Sequence, residues 1–338
     1  FGDTLGPSSC HWVHLRQLAD IGGPALLTFV MAAVNFGTLR ALLTRKDRKP
    51  AFGALALSLA LAVLAWIYGM WRLEDIRTYL ATSKSRTVHV TAIQANIGDF
   101  EKLASEQGVR GAADDVLRNF FQLSDRALEQ SPKPDLIVWP ETSYPSTFRT
   151  PMAPAELARD QRLESYVRER RVPLVFGGYD HHDGKDHNAM FLLEPAGATS
   201  KANSNAPGEL QIYRKSILLL FGEYIPGADL FPWIKQTFPQ VGNFGRGPGP
   251  QVMELKTGQG IVKTGPLICY EILFPNFVIQ AARGGSEVIL NITNDSWFGA
   301  YGEPYLHLSL SVFRDIETRM PQVRATNTGI SALIDATG

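Results

Sequence analysis

The sequence predicts an α/β protein in which layered sheets covered by helices follow a pair of transmembrane α-helices. Three observations predict this. Two long apolar runs, at 21–43 and 51–71, carry almost no charge. From residue 87 onward, short strand-like runs interleave with polar and amphipathic helical segments, the alternation expected of sheets covered by helices. Within that part, Gly265 to Pro275 (GPLICYEILFP) ends an apolar run in a cysteine, with a carboxylate two residues on and a proline beyond.

Residues 21–43 (IGGPALLTFVMAAVNFGTLRALL) contain one charge, Arg40, and about 20 such residues suffice to cross a bilayer core. Residues 51–71 contain none and end in Trp66, Tyr68 and Trp71, the aromatic side chains expected at a membrane interface. Between them Thr44 to Pro50 (TRKDRKP) holds four basic residues and one acid. Short basic loops stay cytoplasmic, so everything after about residue 75 is expected on the opposite face, the periplasm of a bacterium. The chain starts at Phe1 with no basic segment ahead of a short apolar core, so no signal peptide is expected and the start reads as the interior of a longer protein. The expected organisation is a membrane portion, 1–80, and a large domain, 81–338.

In the large domain, strands are predicted at 88–97, 135–139, 173–179, 188–193, 210–220 and 287–292, with two more joined by a turn in 322–335. Helices are predicted at 112–130, 154–171, 276–283 and 306–319. Residues 201–208 read as a loop. The Pro- and Gly-rich stretch 225–250 carries Trp233, Phe238 and Phe244, which suit either a membrane-facing lid or a loop anchored by packed aromatics. Basic and acidic residues balance at 33 each, so no global charge argues for nucleic acid. Cys10 and Cys269 lie in segments of different character, and no bridge between them is expected. His181, His182 and His187, with Asp183 and Asp186, read as a solvated turn rather than a metal site, and no cofactor or metal motif is found.

A lone cysteine in an apolar run is usually a small packed hydrophobe, so Cys269 needs partners before it reads as a nucleophile. Three polar residues stand where other buried strands end. Glu141 follows DLIVWP directly, in place to take a thiol proton from a dry site. Lys215 precedes the apolar run of QIYRKSILLLFGEYIP, where a fixed ammonium, with backbone N–H groups after Cys269, would stabilise an oxyanion. Glu223 or Glu271 would then hold that lysine charged and in place.

These residues carry a resemblance. WPET at 139–142, the Lys215 to Glu223 segment ending in FGEYIP, and CYE at 269–271 resemble the Glu-Lys-Cys set of the nitrilase, or carbon-nitrogen hydrolase, superfamily. TNDSWFG at 293–299 and RATNTGISA at 324–332 extend it. With the preceding spans, the pattern is similar to the apolipoprotein N-acyltransferase family of the bacterial inner membrane, and QLADIGG at 17–23 resembles that family's late transmembrane region. The resemblance implies a four-layer nitrilase-like αββα sandwich, further transmembrane helices before Phe1 and one after Gly338. It also implies catalytic Glu141, Lys215 and Cys269 supported by Glu223, Tyr270 and Glu271. Its implied partners are a phospholipid acyl donor and a diacylglyceryl apolipoprotein acceptor at the bilayer. Ser216 and Leu220 stand where the family usually has His and Pro, and its tryptophan after the Gln-x-Asn-Ile motif is absent from Gln94 to Leu103. Two rival readings are a membrane-tethered amidase using water in place of the amine, and a catalytically silent scaffold.

Overall fold

The computed structural model describes all residues except 1–4, 45–47, 84–85, 99–110, 196–207, 228–232, 234–241, 297–298 and 300, and leaves out the side chains of 48–51. The predicted loop at 201–208, except Gly208, and Phe238 lie outside the described residues, as do most of the basic loop's side chains and the tryptophan-lacking segment around Leu103.

The chain forms two compact units. The first comprises Phe1–Ser85, Leu306–Gln322 and Ile334–Gly338. Its helices α1 (Ala19–Leu43) and α2 (Arg48–Thr82) contain stretches long and apolar enough to cross a membrane. Gly22 and Gly23 break the helical geometry at the start of α1, with Gly23 at φ 62°, so the regular part of the helix follows them, beginning near Pro24. That placement suits proline, whose missing N–H is no loss in a first turn. Helix α2 runs beyond the predicted 71 to Thr82, because the polar segment after Trp71 is rich in helix-forming residues although it is no longer apolar.

A polar cluster joins the two helices where their apolar runs end. Asp20 accepts the Tyr68 hydroxyl and the Arg72 guanidinium, each at 2.8 Å, and Arg319 at 2.6 Å. Arg319 also donates to Gln17 Oε1 (2.8 Å) and to the Ala336 carbonyl (2.9 Å), while Gln17 donates to the Thr337 carbonyl at 2.8 Å. These bonds bring C-terminal residues into the first unit, a contribution that a boundary drawn near residue 80 from hydropathy does not contain.

The second unit, Arg86–Tyr305 with Val323–Leu333, holds a two-sheet sandwich. One sheet has the order β1 (Val90–Ala92), β2 (Leu136–Val138), β3 (Leu174–His182), β4 (Lys185–Glu194), β5 (Glu209–Arg214). The other runs β10 (Ala332–Ile334), β9 (Gln322–Thr326), β8 (Val288–Thr293), β7 (Gly260–Ile268), β6 (Met253–Thr257). Strand β6 has no counterpart in the sequence reading.

The side-chain alternation of a strand explains the layers. Leu136, Val138, Met190 and Leu192 face the other sheet and pack with Leu255, Ile268, Leu290, Ile292 and Ala325. Their neighbours Ile137, Trp139, Phe191 and Leu193 face outward onto α3 (Ala112–Leu128) and α4 (Pro154–Arg170). Both faces of β2 and β4 are therefore buried, which is why DLIVW and AMFLLE read as continuous apolar runs. Trp139 stacks on Phe120 at 5.0 Å and gives its N–H to Ser124 at 2.8 Å, so its indole is both packed and satisfied. Helix α5 (Pro275–Arg283) follows the cysteine turn and lies against β7.

Two predicted strands end early. Only Val90–Ala92 of 88–97 joins the sheet as a strand; beyond it the backbone of Ile97 bonds instead to the carboxamide of Asn327, both contacts at 3.0 Å. Strand β5 stops at Arg214 rather than 220: the Lys215 N–H still reaches the Asn188 carbonyl, and a buried carboxylate then captures the N–H groups of Ser216 and Ile217. The histidine turn is a two-residue hairpin with Asp183 and Gly184 both at positive φ (50° and 72°), the geometry that suits strand twist. His181 and His182 are exposed there, whereas His187 is buried against Gly245, a correction to the expected solvated turn. Strand alternation carries it inward. Trp233 is exposed, and Phe244 stacks on Tyr179 at 5.6 Å with ring planes 5° apart, so Phe244 is a packed anchor.

Candidate active site

Strands β2, β3 and β5 run in one direction, since β2 and β3 are parallel and β4 is antiparallel to both β3 and β5. Glu141 just after β2 and Lys215 directly after β5 therefore emerge at the same sheet edge. In the second sheet β7 and β8 are parallel, so Cys269 and Asn294 also follow neighbouring carboxyl ends. The backbone N–H of Asn294 donates to Glu141 Oε2 at 3.1 Å, which brings the two edges together. Open α/β sheets commonly build sites at such ends.

At their centre Lys215 is 2% exposed. Its ammonium lies 2.9 Å from Glu223 Oε1 and 3.4 Å from Glu141 Oε1. Asn188 donates its side-chain amide to both of those carboxylate oxygens, at 2.8 Å each, so one N–H-bearing group bridges two acids that would otherwise repel. Glu223 Oε2 takes the Leu219 N–H at 2.8 Å. Burial pulls the Lys215 ammonium down, yet the negative charges of Glu141 and Glu223, joined by Cys269 once it is ionised, outweigh it and hold it well above its ordinary value. The ring centre of Tyr270 lies 5.4 Å from the ammonium, in cation–π range.

Cys269 ends β7 and starts a 3-10 turn, Cys269–Leu273, with φ 54°. A left-handed backbone is rare for a side chain with a Cβ and is kept only where surroundings over-determine it. The thiol is partly buried, and burial together with the Glu141 charge pushes it up to about 12, with Lys215 and a hydrogen bond to Thr293 opposing. At neutral pH the thiol is therefore protonated until a base removes the proton.

Glu271 does not hold the lysine. Fully buried, it accepts the N–H groups of Ser216 (2.7 Å), Ile217 (3.0 Å) and Ile268 (2.9 Å) and the Tyr213 hydroxyl (2.8 Å). It pins the chain that follows Lys215 to the turn that carries Cys269. Of the two acids weighed for the lysine, Glu223 makes the contact.

Sequence reasoning missed Asn188, Asn291, Asp295 and Arg324. Asn291 and Arg324 are polar residues inside apolar strands, EVILNIT and QVRAT, and that misfit was the available signal. A cleft of about 370 Å³, lined in part by Asn96, Asp295, Tyr305, Thr328 and Ile330, opens beside Asp295. A thiol, a carboxylate and a buried ammonium in one dry cluster can run nucleophilic attack on a carbonyl carbon with the oxyanion facing a fixed positive charge.

The chain belongs to the carbon-nitrogen hydrolase family, whose model matches residues 89–338. It is 37% identical over its full length to the apolipoprotein N-acyltransferase of Bdellovibrio bacteriovorus, and 32% identical over 99% of its length to that of Geobacter metallireducens. It spans 59% and 60% of those relatives' own lengths. A solved amidase from Nesterenkonia is 17% identical with a TM-score of 0.46, over 75% of this chain and 85% of that one. The two apolar helices lie within the region shared with the acyltransferases and fit a membrane-associated member of the family.

Proposed function

We propose that this chain transfers an acyl group from a phospholipid, through a thioester on Cys269, to the amine of a diacylglyceryl-cysteine at the N-terminus of an apolipoprotein. The observation that carries the reading is the cluster of Cys269 with a buried Lys215 ammonium shared between Glu141 and Glu223, in a chain whose apolar helices align along with it to the acyltransferases.

In the first step Glu141 takes the Cys269 proton and the sulfur attacks the ester carbonyl carbon of the donor. Lys215 and backbone N–H groups of the following turn face the oxyanion. The C–O bond breaks, and the lysophospholipid oxygen takes the proton back from Glu141. In the second step the neutral amine attacks the thioester carbon, Glu141 accepts the amine proton, and the C–S bond breaks. The thiolate recovers that proton, leaving an amide. A thioester suits this relay because amines attack it more readily than an ester.

The two helices would keep the site beside its lipid donor, and the basic loop between them would set the catalytic domain on the periplasmic side. Full chain in detergent, incubated with phospholipid and read by intact mass, should gain one acyl group. The Cys269→Ala variant should gain none. An adduct that survives in Cys269→Ala, or none in the parent chain, refutes the thioester; turnover of small amides without lipid points to an amidase instead.

A further inference from the structure

Arg324 lies fully buried on β9, in a strand with no exposed residue. A buried guanidinium is costly unless its donors are met and its charge is paired. Its Nη1 donates to Asn291 Oδ1 at 2.8 Å, its Nη2 to Asp295 Oδ2 at 3.0 Å and its Nε to the Ile330 carbonyl at 3.3 Å. Asn291 passes the constraint on. Its amide donates to the carbonyls of Leu267 (3.3 Å) and Cys269 (3.1 Å), so it holds the backbone where β7 enters the cysteine turn. The one Thr293 hydroxyl hydrogen has two acceptors in reach, Asp295 Oδ1 at 3.1 Å and the Cys269 sulfur. Two chains of contacts thus run from one arginine to one cysteine, the first to its carbonyl and the second to its sulfur.

We propose that Arg324 is a positioning residue for Cys269. Through Asn291 it braces the left-handed backbone that aims the thiol, and its guanidinium, held in place by the ion pair with Asp295, sets a fixed positive charge that the thiolate feels. The role rests on Cys269 being the nucleophile of the proposed reaction. Lysine cannot replace it fully, because three N–H groups in a fixed planar fork meet three acceptors in different directions. The charged and titratable groups coupled to the sulfur are Glu141, Lys215, Glu223, the Tyr270 phenol and Arg324 itself. Asp295 and Glu303 act on Arg324, whose charge also senses the thiolate. Arg324→Gln therefore removes a positive charge that favours the thiolate.

The test separates thiol behaviour from acyl transfer. Full chain in detergent is alkylated with iodoacetamide across pH 7 to 10.5, with peptide mapping to count Cys269 apart from Cys10. Arg324→Gln should slow Cys269 alkylation about tenfold at each pH, equivalent to a thiol titrating about one pH unit higher. Arg324→Lys keeps the charge and should alkylate within about threefold of the parent, yet gain acyl adduct about tenfold more slowly, because the Asn291 brace is lost. Asn291→Ala should behave like Arg324→Lys, and the double variant should be no slower than the slower single one, since both cut the same link. A parent-like alkylation profile in Arg324→Gln, or additive losses in the double variant, overturns the proposal. Should Arg324→Gln fail to fold by circular dichroism and gel filtration, the Arg324→Lys and Asn291→Ala pair decides. If the parent chain gains no acyl adduct, the pair is scored on alkylation by an iodoacetanilide too bulky for a misaimed thiol, where each single variant should slow about tenfold and the double no further. That outcome would overturn the acyltransferase reading while leaving the positioning role to stand or fall on thiol chemistry.

Discussion

Replacing Glu271 should damage stability and the site together, because one carboxylate holds four donors from three segments. Glu271→Ala leaves the N–H groups of Ser216, Ile217 and Ile268 and the Tyr213 hydroxyl without their acceptor in a fully buried place. Each such loss costs about 1–1.5 kcal/mol, and removing a carboxylate whose burial raises its own pKa returns part of it. The net expectation is about 3–5 kcal/mol, near the top of the range for point substitutions. Glu271→Gln separates shape from charge. The amide oxygen can serve Ser216 and Ile217 and the rotatable Tyr213 hydroxyl can accept from the amide nitrogen, but the Ile268 N–H then meets a second donor. One frustrated contact gives about 1–3 kcal/mol. The assay is the thermal midpoint in one detergent at fixed protein concentration, with acyl-adduct formation measured in parallel. The expected order is parent above Gln above Ala, with adduct formation falling in the same order because Ser216 and Ile217 follow Lys215 directly. An Ala variant that melts with the parent, or one that melts low while acylating at the parent rate, would refute the account of Glu271 as the clamp of the lysine loop.

Three further predictions follow from the site and the first unit. With the thiol pushed up to about 12, its thiolate fraction rises with pH throughout the neutral and mildly alkaline range, so Cys269 alkylation should climb about tenfold per unit from pH 7 to 10; a plateau near pH 8 would mean a thiolate already formed at rest. Asn188→Ala removes the amide that bridges Glu141 and Glu223, and acyl-adduct formation should drop about a hundredfold with little change in overall secondary structure; a rate within threefold of the parent contradicts the bridging role. Burial lifts the Glu317 carboxyl to about 7 against the opposing Arg314 charge, so between its unfolded value near 4.5 and 7 the folded chain binds more protons than the unfolded one. Stability from this group therefore falls as pH rises through that window and levels above it, and Glu317→Gln should flatten the decline in thermal midpoint between pH 5 and 7.5; an unchanged slope rejects the assignment.

Much of the fold was legible because the signals are local. Strands β2 and β4, buried on both faces, are written as unbroken apolar runs, and α4 announces itself with Pro154 at the head of a charged, helix-forming run. Strand ends were harder. Nothing within 210–220 signals that the sheet stops at Arg214, because the group that captures the N–H donors of Ser216 and Ile217, Glu271, is 55 residues away from Ser216 in sequence. The buried polar residues Asn188, Asn291 and Arg324 escaped for the same reason: each is locally a misfit, and only its distant partners make it intelligible.

The sequence by itself determined the two long apolar helices, the cysteine at a strand end and the acids and lysine at comparable ends, because length, charge and period are properties of consecutive residues. Tertiary structure alone decided which of them meet. Glu223 touches the Lys215 ammonium and Glu271 does not, although both follow the lysine in sequence and both are acids. The physical reason is sheet order. Lys215 leaves β5 at the edge of one sheet and Glu271 leaves β7 inside the other, so backbone donors, rather than the ammonium, fill the space in front of that carboxylate.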